Sequence, residues 1–155
     1  MAHMRTDVTT PISVVPRLVV SDPDSAAEFY RVALGAEVLA RFTMPDGTVT
    51  NTDLAIGAAS LSLTSEVEEW GLLGPLTIGG SPVLLKLTVA DARQVRDRMV
   101  DAGAEEVVAV EDRPYGRCEG RVRDPFGHLW IVSHVTENLT DDEIRRRIDT
   151  AYGGP

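Results

Sequence analysis

Cysteine is nearly absent from this sequence: Cys118 is the single one in 155 residues. An internal disulfide is therefore impossible, and a reducing, cytoplasmic setting fits. Histidine is scarce too, at three residues, and aromatic residues make up 5% of the chain. No apolar run approaches the ~20 residues that a membrane-spanning helix requires, so no membrane partner is expected. Cations are outnumbered, with 15 Lys and Arg against 24 Asp and Glu and a formal net charge of -9. That balance disfavours nucleic acid, whose phosphates call for clustered Lys and Arg. The opening Met1-Ala2-His3-Met4 lacks the apolar core of a signal peptide. Residues 1–11 read as a cloning remnant and an N-terminal arm, and His3 is set aside from site reasoning.

What is present suits one globular domain with a real core. Residues 13–20 read as a strand. Asp22 follows as an N-cap with Pro23 at the first helical position. Ala26, Phe29, Tyr30, Ala33 and Leu34 then share one helical face, and Gly35 ends the helix. Three strands are expected near 36–43, 49–56 and 59–65. The pattern recurs one half later. Leu18-Val-Val-Ser-Asp22 matches Leu87-Thr-Val-Ala-Asp91, and Gly35-Ala36-Glu37 matches Gly103-Ala104-Glu105. The second helix, near 92–102, offers Val95, Met99 and Ala102, and strands follow near 105–111, 116–123 and 129–135. Fixed-period self-similarity of this kind governs the whole fold.

Each half therefore reads as β-α-β-β-β. The expected class is α+β: two βαβββ modules whose curved mixed sheets enclose a cleft, plus a C-terminal helix. The domain spans 12–137, with modules at about 12–65 and 82–137 and a Gly/Pro-rich linker at 66–81, read as a lid or a plain connection. Residues 138–155 form a helix and tail. Thr140-Asp-Asp-Glu143 has capping-box form, and Ile144, Ile148 and Tyr152 make a weak apolar stripe that would dock on the body or on a partner subunit.

The segment Asp124-Pro-Phe-Gly-His-Leu-Trp130 reads as a turn entering the last strand. Together with Leu18 to Asp22, Glu28-Phe-Tyr30, Leu34-Gly-Ala36 and Ala102-Gly-Ala104, it resembles the vicinal-oxygen-chelate superfamily, also called the glyoxalase/bleomycin-resistance/dioxygenase superfamily. Met44-Pro-Asp-Gly47, Gly79-Gly-Ser-Pro82, Tyr115-Gly-Arg117 and Ser133-His-Val-Thr-Glu137 look like its PhnB-like branch. The resemblance implies a homodimer. Metal-using members carry His or Glu on the first and last strands of each half. The matching positions here are Val15, Ser62, Leu84 and Ile131, and none supplies a strong divalent ligand. Neighbouring residues supply none either, so no metal and no cofactor is expected.

Strand side chains alternate between faces. With Leu18 and Val20 toward the helices, Arg17, Asn51, Asp53 and Ser62 would line one wall of the cleft, and Lys86 and Ile131 the other. Trp70 reads as lid aromatic or loop packing, and Tyr115 and Arg117 as residues of the mouth. Arg17 and Asp53 read equally as a cross-strand ion pair or as ligand contacts. Asn51 stands where the branch commonly has His. Cys118 reads as a plain free cysteine, or as a thiol whose pKa Arg117 lowers. His128 reads as a turn residue, His134 as facing away from the cleft and Trp130 as core.

Apolar walls with a few polar groups suit enclosure of an organic molecule. The expected function is metal-independent binding of a small organic ligand, aromatic or cationic, with antibiotic sequestration as one case. The alternative is an enzyme of the same superfamily. A metal-free isomerase or cyclase would use Asp53 as general base with Arg17 or Lys86 at an oxyanion, and a metal-dependent lyase or dioxygenase fits the residues less well.

Overall fold

The structure is a computed structural model that describes residues 11–155; the residue 1–10 part of the expected N-terminal arm lies outside them. Strand β1 spans Arg17–Val20, shorter than the expected 13–20. Pro16 explains the late start, because it brings no N–H to the ladder, although its carbonyl accepts from Ser62 N at 2.9 Å. Helix α1, Pro23–Leu34, begins where the Asp22 carboxylate accepts from the Asp24 and Ser25 amides. It ends at Gly35, whose φ of 68° lets its N–H fold back onto Arg31 O. Strands β2 (Glu37–Thr43), β3 (Val49–Ile56) and β4 (Ala59–Ser65) complete the first half. Its sheet order is β1-β4-β3-β2, with β1 parallel to β4 and the other pairs antiparallel.

The linker is a folded loop. Val67 and Leu72 form a small bridge around a 3-10 turn at Glu68–Trp70, and a one-turn helix α2 follows at Pro75–Ile78. Glu66 holds the loop by accepting from Gly74 N at 2.7 Å and from the Thr77 hydroxyl.

The second half repeats the first. Strand β5 (Leu84–Thr88), helix α3 (Ala92–Asp101), β6 (Glu105–Arg113), β7 (Arg117–Arg123) and β8 (Leu129–Val135) give the order β5-β8-β7-β6. Asp91 caps α3 as Asp22 caps α1. Helix α4 (Asp141–Tyr152) follows its Thr140 cap. Arg147 ties α4 to Glu137 and to Pro114 O at 3.4 Å, and pairs within the helix with Glu143 at 3.0 Å.

The two sheets share one core. Helices α1 and α3 pack on the inner sheet faces and on each other. Tyr30, Leu54, Leu63, Met99, Val122 and Val132 are fully buried there. Aromatic rings cross between halves, with Phe29 against Phe126 at 6.5 Å and Tyr30 against Trp130 at 5.6 Å between centroids. Asp124, 3% exposed, clasps the halves together. Its carboxylate accepts from the Tyr30 hydroxyl, from Trp130 Nε1 at 2.9 Å, and from the amides of Phe126 (2.9 Å) and His128 (3.0 Å). A second tie runs from His128, whose Nε2 donates to Val19 O at 2.9 Å. A carbonyl only accepts, so that nitrogen carries the proton.

The opposite sheet faces are open. No helix among the described residues is long and apolar enough to cross a membrane.

Candidate functional site

On the first sheet, alternation turns Arg17, Asn51, Asp53 and Ser62 to the open face. Register sets Arg17 beside Ser62, and Ser62 beside Asp53. Arg17 reaches across β4 to β3, donating from Nη1 to Asn51 Oδ1 at 2.8 Å and from Nη2 to Thr50 O at 2.7 Å. Ser62 Oγ donates to the same Asn51 oxygen at 2.7 Å. Of the two readings of Arg17 and Asp53, the ion pair does not form: the Arg17 guanidinium is taken up by Asn51 and a backbone carbonyl. Asp53 lines the same depression, whose volume is about 350 Å³ and whose walls include Val15, Leu39 and Leu61.

The second sheet repeats the arrangement with a charge added. Lys86 occupies in β5 the place that Arg17 has in β1, and its neighbour in register is Ile131. The acceptor on the third strand of this half is Glu119, across from Ser133. Tyr115 donates to Glu119 Oε1 at 2.6 Å and Ser133 Oγ to Oε2 at 2.8 Å, while Lys86 Nζ lies 3.9 Å away. Arg117 Nη1 donates to Ser133 Oγ at 3.2 Å. Burial pushes the Glu119 pKa up, but the hydrogen bonds from Tyr115 and Ser133 and the charges of Lys86 and Arg117 outweigh it. The result is lowered, so the carboxylate stays ionised. Burial, the hydrogen bond to Glu119 and its negative charge push the Tyr115 phenol up to about 12. A depression of about 280 Å³ opens here among Val108, Arg113, Tyr115, Glu119, Ile131 and Tyr152.

The expected site residues thus fall on two sheets. Arg17, Asn51, Asp53 and Ser62 gather on one; Lys86, Tyr115, Arg117 and Ile131 surround Glu119 on the other. Trp70 joins neither depression and is 76% exposed on the linker turn. Sequence reasoning passed over Glu119 and the part of Tyr152 at the rim. The i, i+2 spacing of Arg117, Glu119 and Arg121 carried the signal for the first. Cys118 fits the plain free cysteine and not the lowered pKa: it is buried on the helix side, away from its neighbour's guanidinium, and burial raises its pKa. His134 also faces the helices, where its Nδ1 accepts from Ala92 N at 2.9 Å. A third, mostly apolar crevice of about 290 Å³ follows the seam between β1 and β5, walled by Leu18, Val83, Leu85 and α2.

The four positions matching the superfamily's metal ligands do not fit a divalent ion. Val15, Leu84 and Ile131 are hydrocarbon, and the Ser62 hydroxyl is committed to Asn51. Among the described residues, no three His, Cys, Asp or Glu side chains gather as a metal-binding group.

Comparison with known proteins agrees with this architecture. An uncharacterized protein of Mycobacterium tuberculosis, Rv0887c, is 34% identical over 160 residues, covering 99% of this chain and 94% of that one. The crystal structure of TioX from Micromonospora sp. ML1 superposes with a TM-score of 0.60 at 26% identity, over 83% of this chain and 100% of that chain. A bleomycin-binding protein, solved in complex with bleomycin, shares the fold at a TM-score of 0.54 and 21% identity, over 83% of this chain and 100% of that chain. The family model of the superfamily matches residues 10–132, at the level of the superfamily and not of the PhnB-like branch. The two βαβββ modules and this match agree, and the chain belongs to the Glyoxalase/Bleomycin resistance protein/Dioxygenase superfamily.

Proposed function

We propose that this chain binds a small organic molecule on the open faces of its sheets, without a metal at the superfamily's ligand positions. One observation carries the reading. Each half presents a cation, a hydrogen-bond acceptor and a hydroxyl as a connected polar cluster within apolar walls, while the positions matched to the metal ligands hold Val15, Ser62, Leu84 and Ile131. The fold is one in which a bleomycin-binding protein holds bleomycin. The depressions, at about 350 and 280 Å³, lie at the low end for an organic ligand, which suits completion of each by a second copy. Half-exposed Val38, Leu39 and Phe42 on β2, with Val107 and Val108 on β6, supply apolar surface for a homodimer.

Elemental analysis and native mass spectrometry of the purified protein test the metal and the dimer together. The expected outcome is a dimer with far less than one transition metal per chain; stoichiometric metal would overturn the metal-free reading. Calorimetry against a compound panel tests binding, and absence of saturable binding across it would remove the function.

An enzyme is the second reading, and Asp53 favours it. This carboxylate lines the first depression beside Arg17 with no ion-pair partner among the described residues. Asp53→Asn would abolish turnover in an isomerase or cyclase, whereas a binding protein has none to lose.

A further inference from the structure

The charge of the second sheet's open face is opposite to that of the chain. The protein carries a net charge of -9. Yet Lys86, Arg117 and Arg121 stand on this face around Glu119, and the face's other carboxylates, Glu111 and Glu105, are each taken by an arginine of their own, Arg113 and Arg123. Off this face, Arg93 meets the Asp112 carboxylate and Arg96 that of Glu106. Among the described residues, Arg117 and Arg121 meet none. Glu119 is itself engaged within the chain, accepting from Tyr115 on one oxygen and from Ser133 on the other, with Lys86 Nζ 3.9 Å away. A cationic ligand at Glu119 would have to approach three like charges.

We propose that the second-sheet depression takes a flat organic anion, its carboxylate or phosphate held at Arg121 in the lining and drawn by the charges of Lys86 and Arg117 on the same face. This rests on the small-molecule-binding reading and adds the charge of the ligand. Tyr115 and Tyr152 supply ring surfaces at the rim, and Ile131 and Val108 an apolar floor, so the body of the ligand is planar and unsaturated. Arg117 brings a planar fork of donors that fits a carboxylate in pairs. Glu119 serves as a positioning residue. It keeps Lys86 and Tyr115 in place and leaves the face with surplus positive charge.

Three probes of one shape separate charge from shape: 2-naphthoate, 2-naphthamide and 2-naphthylmethylammonium, titrated calorimetrically into the full chain. The expected order is naphthoate tightest, by roughly tenfold over the amide, with an advantage that shrinks as salt rises. Arg117→Gln and Lys86→Gln should each remove most of that advantage, and Arg117→Lys should restore part of it. Glu119→Gln is the sharpest variant. Its amide oxygen accepts from one of the two hydroxyls and its NH2 donates to the other, and the variant should tighten naphthoate several-fold by removing the carboxylate charge nearest the anion. A ligand cation held by Glu119 would instead lose its site in that variant. Equal or tighter binding of the amide or ammonium probe overturns the anion assignment and leaves small-molecule binding standing. Silence from all three probes overturns the assignment too; silence from the wider panel as well removes the reading beneath it.

Discussion

Replacing Tyr30 with Phe removes one oxygen atom from the junction between the halves. The ring keeps its place against Phe29 and Trp130, so the apolar burial is retained. What goes is the hydroxyl donated to the Asp124 carboxylate, a hydrogen bond to a charged acceptor between two buried groups. Such bonds are worth about 1.5–3 kcal/mol. Asp124 keeps three donors, Trp130 Nε1 and the amides of Phe126 and His128, so the charge is not stranded. We therefore expect a loss of about 2 kcal/mol, in the middle of that range. In a domain of this size that lowers Tm by roughly 4–8 °C. Urea unfolding, followed by tryptophan fluorescence and by circular dichroism, measures the loss as a shift in midpoint at constant slope. A loss under about 0.5 kcal/mol would refute the clasp as an energetic feature, because ordinary surface changes reach that size. Non-coincident transitions in the wild type would refute the single shared core. The same variant carries a pH signature. Burial, then the Asp124 charge and hydrogen bond, raise the Tyr30 phenol well above its ordinary value of 10.0. A pKa raised in the folded state gives stability that is complete below the unfolded value and is lost as pH climbs above it. Wild-type stability should thus fall above pH 10, and Tyr30→Phe should fall less steeply.

Three further outcomes follow from particular contacts. Gly127 has a φ of 89°, and a Cβ there would lie 2.7 Å from Pro75 Cβ, so Gly127→Ala should cost about 1–3 kcal/mol by urea unfolding. Cys118 is fully buried with a raised pKa, so a thiol-reactive dye should label the native protein far more slowly than the urea-unfolded chain; equal rates would contradict its burial. Thr140 caps α4 by accepting from Glu143 N at 3.2 Å, so Thr140→Ala should speed amide exchange in 141–144 at a cost of about 1 kcal/mol, leaving exchange in β7 and β8 unchanged.

Local chemistry made much of this architecture readable. Asp22 and Asp91 announced their helices as caps, and alternation located β3, β4 and β8 to the residue. Helix α2 was invisible because its four residues hold by tertiary contact, with Pro75 over Gly127 and Glu66 on Gly74 and Thr77. The Arg17–Asp53 pairing failed for a topological reason. β4 lies between β1 and β3, and a guanidinium crossing it meets Asn51 first. The lowered-pKa reading of Cys118 failed because adjacent strand residues point to opposite faces, which separates it from Arg117. Asp124 was legible as a turn residue only; its bond to Tyr30 joins positions 94 apart, and no local pattern encodes that.

The clasp also shows how far the two halves have ceased to be interchangeable. Tyr30 stands eight residues after its capping aspartate; eight residues after Asp91 stands Met99, which has no proton to give. The hairpin carrying Asp124 spans five residues between Arg123 and Leu129, whereas its counterpart between Ile56 and Ala59 spans two and holds no carboxylate. A pair of first halves would bury two phenols with no acceptor from that loop. A pair of second halves would bury two carboxylates, each short of the donor that Tyr30 supplies. The repeat has become lock and key to itself, and each module is now the only counterpart its neighbour fits.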